Sequence, residues 1–201
     1  MARLRAVGPA NFDPALRAAL GPAVEDDPQA LGLMRVLAQR SDLALVFTQF
    51  REQLEAAATL PPRLVELVRL RVAYHNQCRS CMALRSASGV TAGVTEGLVC
   101  SLQRPEQAVD LTDPEKAALH YADLLATDHL AVDDAVFDRL RRYFDEPEIV
   151  ELGVHLAIFI GFGRLSATWD IVDDLPDRFH HRSQPVTPWG READVAVAQF
   201  R

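Results

Sequence analysis

Apolar residues recur at three- and four-residue spacing along almost the whole chain, and nowhere do they alternate with polar ones over the length of a strand. That pattern confines the chain to the all-α class. The clearest stretch, LPPRLVELVRLRVAY at 60–74, opens on Pro61 and Pro62 and sets Leu64, Leu67, Val68, Leu70 and Val72 facing inward. Asp13 before Pro14 and Asp27 before Pro28 read as helix entrances, each a capping carboxylate followed by proline at the first helical position. Ser41 is expected to cap a helix to about residue 58. Gly89 reads as a helix stop and Thr95 as the next start. Thr112 and Glu115 form a capping box for a helix to about Thr127, and Asp133 caps another to about Phe144. A last apolar helix is expected over about 148–172, with Gly161 and Gly163 as points of kink or close packing.

These signals predict about eight to ten helices in one domain over residues 1–173. Residues 174–201, rich in Pro, Arg, His and Asp, read as a polar tail lying over the surface or a neighbouring subunit. VELVRLRVAYHNQC at 65–78 echoes VELGVHLAIFIGFG at 150–163, so the fold is expected to hold a helical repeat with Glu66 and Glu151 as shared framework.

Composition narrows the function. Of 201 residues, 49% are hydrophobic and 24% charged, enough to bury a core and too apolar for a disordered chain. The net charge of -7, without a basic run, argues against nucleic-acid binding. The apolar runs at 43–47 and 156–160 are too short to span a bilayer, and the N-terminal residues lack the apolar core of a secretory signal, so no membrane partner and a cytoplasmic location are expected.

Three cysteines make no disulfide framework, but Cys78 and Cys81 lie three apart where His75, Asn76 and Gln77 interrupt the helical pattern. Placed in the first turn of a new helix, such thiols share a face, can bridge, and are biased toward thiolate. His75 is positioned to handle a thiol proton, and Arg85, four residues after Cys81, to stabilise a thiolate if the helix continues. Glu66 is harder to place: twelve residues of straight helix would set it ~18 Å from Cys78, so the chain must bend or another subunit must supply a carboxylate. Zinc needs two further ligands, and Cys100, His120, His129 and His155 offer no second paired spacing; no metal and no other cofactor are expected. The plainer alternatives are a buried, inert cysteine pair, an exposed Arg85, a Glu66 paired with Arg63 or Arg69, a core Cys100, a hydrogen-bonded core or interface His155, and solvated His180 and His181.

A glutamate twelve residues before a CxxC, within LPPRLVELVRLRVA, resembles the carboxymuconolactone decarboxylase family and its AhpD-like alkylhydroperoxidase branch, most clearly over about residues 40–100 and compatibly over about 40–173. The resemblance implies an AhpD-like helical fold, a homo-oligomer (dimer, trimer or hexamer), a hydroperoxide substrate and an external thiol reductant. It implies Cys81 as the peroxide-attacking thiol, Cys78 as its resolving partner and Glu66 as the carboxylate of a proton relay. Where that branch carries two histidines, this chain has Ser80 and Arg85. The expected function is a thiol peroxidase or disulfide oxidoreductase; the alternatives are a lactone decarboxylase-like lyase and a non-catalytic ligand-binding scaffold.

Overall fold

Helix entrances follow the capping residues. The computed structural model describes residues 2–21, 32–180, 185–190 and 195–198; the helix expected after Asp27 lies outside them, as does His181. Asp13 accepts from the Ala15 N–H and opens α1, Pro14–Leu20. After α2, Gly32–Leu37, a 3-10 turn at Ala38–Arg40 leads directly into α3, Ser41–Ala57. Ser41 therefore caps nothing, because the chain before it is already coiled; its hydroxyl donates to the Ala38 carbonyl.

Pro61 and Pro62 open α4, Pro62–His75, followed by α5, Arg79–Ala83, strand β1, Leu84–Ser86, and α6, Ala87–Thr91. Gly89 is not a stop but a buried residue inside α6. The chain leaves that helix at Gly93, whose φ of 90° suits glycine. Thr95 caps α7, Glu96–Ser101; Thr112 and Glu115 form the capping box of α8, Asp113–Thr127; Asp133 caps α9, which ends early, at Leu140. The long α10 runs over Glu146–Trp169. It starts two residues before the expected point because Asp145 and Glu148 make a second capping box, and it ends at Asp170 in the left-handed region.

α4 is the hub. Leu64, Leu67, Val68, Leu70 and Val72 are buried in one core cluster with Leu119, Leu140, Leu152 and Leu156 from α8, α9 and α10. A second cluster joins Phe12 and Leu16 to Met34 and Ala44. Gly163 on α10 lets Asn76 approach, since a Cβ there would overlap the Asn76 side chain; at Gly161 a Cβ would meet nothing within 4 Å. The two glutamates of the sequence echo are used alike: the Glu151 carboxylate accepts from the N–H groups of Thr59 and Leu60 ahead of α4, as Glu66 accepts from the Ser86 N–H ahead of α6.

Among the described residues α10 alone is long and apolar enough, by length and composition, to cross a membrane, longer than the short run at 156–160 indicates. It is nonetheless tied into this fold by Glu151 and by Arg164, which donates to Asn76 Oδ1 and the Ala126 carbonyl.

The described parts of the C-terminal segment pack into the fold. Strand β2, Ala196–Ala198, pairs in parallel with β1, Leu84 opposite Ala196 and Ser86 opposite Ala198. Three-residue strands leave no alternation to read, and the fold stays all-α. Phe179 is fully buried with Ala73, Met82, Ala83, Val172 and Leu175. Phe179→Ala is expected to cost about 3–5 kcal/mol, measured as a lowered urea midpoint; an unchanged midpoint would mean that this segment does not belong to the core.

Candidate active site

The site begins at the break after α4. His75 ends the helix, Gln77 adopts a φ of 50°, and the Cys78 N–H reaches back to the Ala73 carbonyl at 3.0 Å. The reversal lays α5 against α4. Arg69 Nη1 then donates to the Cys81 carbonyl at 2.9 Å and Nη2 to the Leu84 carbonyl at 2.8 Å. The same guanidinium makes a two-pronged pair with Glu66, Nε to Oε2 at 2.7 Å and Nη2 to Oε1 at 2.8 Å. The bend required by the straight-helix distance is thus made within one chain, and Arg69 joins Glu66 to the cysteine helix. Burial alone would raise the Glu66 carboxyl, but Arg69 and the Ser86 N–H hold it below the ordinary carboxylate value.

Cys78 and Cys81 form a disulfide, their Cα atoms 5.2 Å apart. The two sulfurs are not equivalent. Cys78 is completely buried at the N-cap of α5; its Sγ accepts from the Cys81 N–H at 3.3 Å and lies 3.6 Å from Ser80 Oγ. Cys81 is half-buried and lines a mainly apolar cavity of about 160 Å³ with Phe47, Phe159, Phe162, Ser80, Arg51 and Arg69. The cysteine that borders open space is therefore Cys81.

The other candidates have different partners. α5 ends at Ala83, so Arg85 falls on β1 rather than on the helical face of Cys81, and it is neither exposed nor helical. At 1% exposure its guanidinium grips both Glu96 oxygens, at 2.7 and 2.9 Å, and donates to the Met82, Leu84 and Pro188 carbonyls. His75 Nε2 sits 2.7 Å from Asp123 Oδ1, a carboxylate that Arg71 also grips. Arg63 pairs with Glu115, leaving Glu66 to Arg69. Cys100 is exposed, not core: α7 buries Leu98 and Val99, and the next position turns away. His155 is buried, yet its Nε2 lacks a hydrogen bond, the Glu151 Oε1 standing 3.6 Å away. His180 is exposed. Among the described residues no three of His, Cys, Asp and Glu gather where a metal ion would sit.

Arg69 is the residue whose importance the spacing understates, since Glu-x-x-Arg on a helix ordinarily marks a surface pair. The cue is that both stand amid VELVRL, where neighbours on every side are apolar.

Burial pushes the His155 imidazole below its ordinary 6.5, with Glu151 pulling it up and Arg51 pushing it further down. As pH falls through about 6.5 the unfolded chain takes up a proton that the folded one refuses, so stability drops from there toward the lower folded value. Glu66 and Glu151, both held below 4.5 despite burial, add a second loss below that pH as their paired forms are protonated. The urea midpoint is expected to fall in two stages on acidification, and His155→Asn to remove the first. A midpoint flat down to about pH 5 would contradict this.

Residues 41–124 match the carboxymuconolactone decarboxylase family. An uncharacterized protein of Mycobacterium tuberculosis, Rv2313c, is 42% identical over 111 residues, 54% of this chain and 38% of its own length. The uncharacterized protein YnjA of Escherichia coli K12 is 28% identical over 117 residues, 58% of this chain and 62% of its own. The matched segment thus spans less than two thirds of these relatives. In fold, the chain is similar to an uncharacterized peroxidase-related protein with an alkylhydroperoxidase AhpD core from Ralstonia eutropha JMP134, with a TM-score of 0.69 over 89% of this chain and 94% of that one at 20% identity.

Proposed function

We propose, for a chain whose residues 41–124 match the carboxymuconolactone decarboxylase family and whose fold is similar to an AhpD core, a thiol peroxidase reaction at Cys81 and Cys78. The observation that carries this reading is the asymmetry of the pair: Cys81 lines an apolar cavity while Cys78 lies buried behind it. A Cys81 thiolate attacks the terminal peroxide oxygen, the O–O bond breaks, and the alkoxide leaves to be protonated as an alcohol. The Cys78 thiolate, helped by the Cys81 N–H and the Ser80 hydroxyl, then attacks the Cys81 sulfenic acid and releases water. Two electrons and two protons from an external thiol reductant restore the dithiol.

Arg69, not Arg85, is the guanidinium that touches the Cys81 backbone, and Glu66 anchors Arg69 as a carboxylate rather than passing a proton. His75 is held by Asp123 at the end of the same helix. This reading includes a cytoplasmic homo-oligomer, supported by the exposed apolar residues Leu43, Val46 and Phe50 on α3 and Val150 and Leu165 on α10.

The test is the intact mass of reduced protein before and after one equivalent of cumene hydroperoxide. Loss of two hydrogens, mapped by digestion to Cys78 and Cys81, is expected. Stable oxygen addition with no bridge would refute the two-thiol cycle.

A further inference from the structure

The oxidation moves protons as well as electrons, and the cavity that Cys81 borders has few groups to move them. Among the described residues its lining holds no histidine, carboxylic acid, lysine or tyrosine; besides Cys81, its polar side chains are Arg51, Arg69, Ser80 and Ser166. The guanidinium groups donate hydrogen bonds but keep their protons. His75 pairs with Asp123, and Glu66 with Arg69.

Two needs are left open. An alkoxide released from the peroxide is a strong base that must take up a proton, and no ordinary acid borders the cavity to supply it. Cys78 must give a proton up to act as a nucleophile, yet it has no surface open to water.

Ser80 meets both. It lines the cavity beside Cys81, and its Oγ lies 3.6 Å from Cys78 Sγ. Among the described residues it is the one hydroxyl in hydrogen-bond contact with either sulfur. It is buried in the short helix α5, which fixes it in that place. A serine hydroxyl donates and accepts at once, so it passes a proton on without changing its own charge.

We propose that Ser80 is a catalytic proton carrier between the Cys78 thiol and the leaving oxygen of the peroxide. The Cys81 thiolate forms its S–O bond to the terminal peroxide oxygen as the O–O bond breaks, and the electron pair of that bond leaves on the alkoxide. Ser80 gives its hydroxyl proton to the alkoxide, making the alcohol, and takes the Cys78 thiol proton in its place. Cys81 ends as a sulfenic acid, Cys78 as a thiolate and Ser80 as it began. The thiolate then forms the S–S bond, and hydroxide leaves the Cys81 sulfur to take up a solvent proton as water. The buried thiol is thereby ionised only once a peroxide has been cleaved. This role rests on the peroxidase reading and supplies the source of a proton that it leaves unassigned.

The test compares two oxidants that differ in their need for that proton. tert-Butyl hydroperoxide releases a strongly basic alkoxide, whereas peracetic acid releases acetate, which leaves without protonation. Single turnovers of the reduced full chain are quenched, alkylated and digested, and the loss of free thiol at Cys81 is timed. Ser80→Ala is expected to slow the reaction with tert-butyl hydroperoxide about a hundredfold, and that with peracetic acid about threefold or less. In the wild-type protein, deuterium oxide is expected to slow the alkyl hydroperoxide more than the peracid. Equal slowing of both oxidants in Ser80→Ala, or slowing of neither, overturns the proposal, and so does an equal effect of deuterium oxide on the two. Any of these results leaves the thiol cycle standing where the wild-type protein still forms the Cys78–Cys81 bridge. A wild-type protein that bridges with neither oxidant loses the cycle and the role of Ser80 together.

Discussion

Cys81→Ser abolishes peroxide turnover and leaves no oxidised product at residue 78, whereas Cys78→Ser abolishes turnover but still lets residue 81 gain oxygen. This pair of results is expected because only Cys81 borders the cavity, while Cys78 is wholly buried. A buried thiol meets no peroxide; it meets only the sulfur beside it. Removing Cys78 therefore strands the sulfenic acid, which accumulates and then overoxidises. Removing Cys81 leaves a sheltered thiol with nothing to resolve. Mass spectrometry of both variants after peroxide treatment separates the roles. Oxygen addition at Cys78 in Cys81→Ser, with none at Cys81 in Cys78→Ser, would reverse them.

Arg69→Met has the larger effect on the fold. It leaves the Glu66 carboxylate, at 1% exposure, with the Ser86 N–H but without its cation, and strips donors from the Cys81 and Leu84 carbonyls. The expected loss is about 3–5 kcal/mol by urea unfolding. Glu66→Gln in the Arg69→Met background should recover part of it, since no uncompensated charge then remains buried. Arg69→Lys should fall between, because an ammonium cannot hold Glu66 with two prongs while also reaching both carbonyls. If Arg69→Met unfolds at the wild-type midpoint, this buried pair is not what seats α5 on α4.

The elements most legible in the sequence are those whose signals are local. Thr112 with Glu115 and Asp133 announce α8 and α9, and the apolar rows of α4 and α10 announce the hub, because capping and amphipathic spacing act within a few residues. The family resemblance and the thiol pair are legible for the same reason, their markers standing within sixteen residues of one another from Glu66 to Cys81. What the sequence does not disclose is long-range. Arg85 looks like the next turn of a helix until β2, from more than a hundred residues on, draws it into a strand and Glu96 claims its charge. The tail looks solvated because Phe179 is one buried ring among many charges. Cys100 looks internal because apolar neighbours flank it, but a helix of six residues has an outside, and Cys100 is on it.

Gly89 carries a consequence for how such chains drift. A Cβ at that position would stand 2.6 Å from Glu66 Cβ and 2.7 Å from both Glu66 Cγ and Ser86 Oγ, so the glycine and the glutamate occupy one volume between them. Shortening the acid does not release the glycine, because the nearest atom is the Cβ that every residue but glycine carries. Any side chain at 66 therefore holds position 89 to glycine, whereas position 66 is held by its pair with Arg69 and not by the glycine. The constraint runs in one direction between two positions far apart in the text.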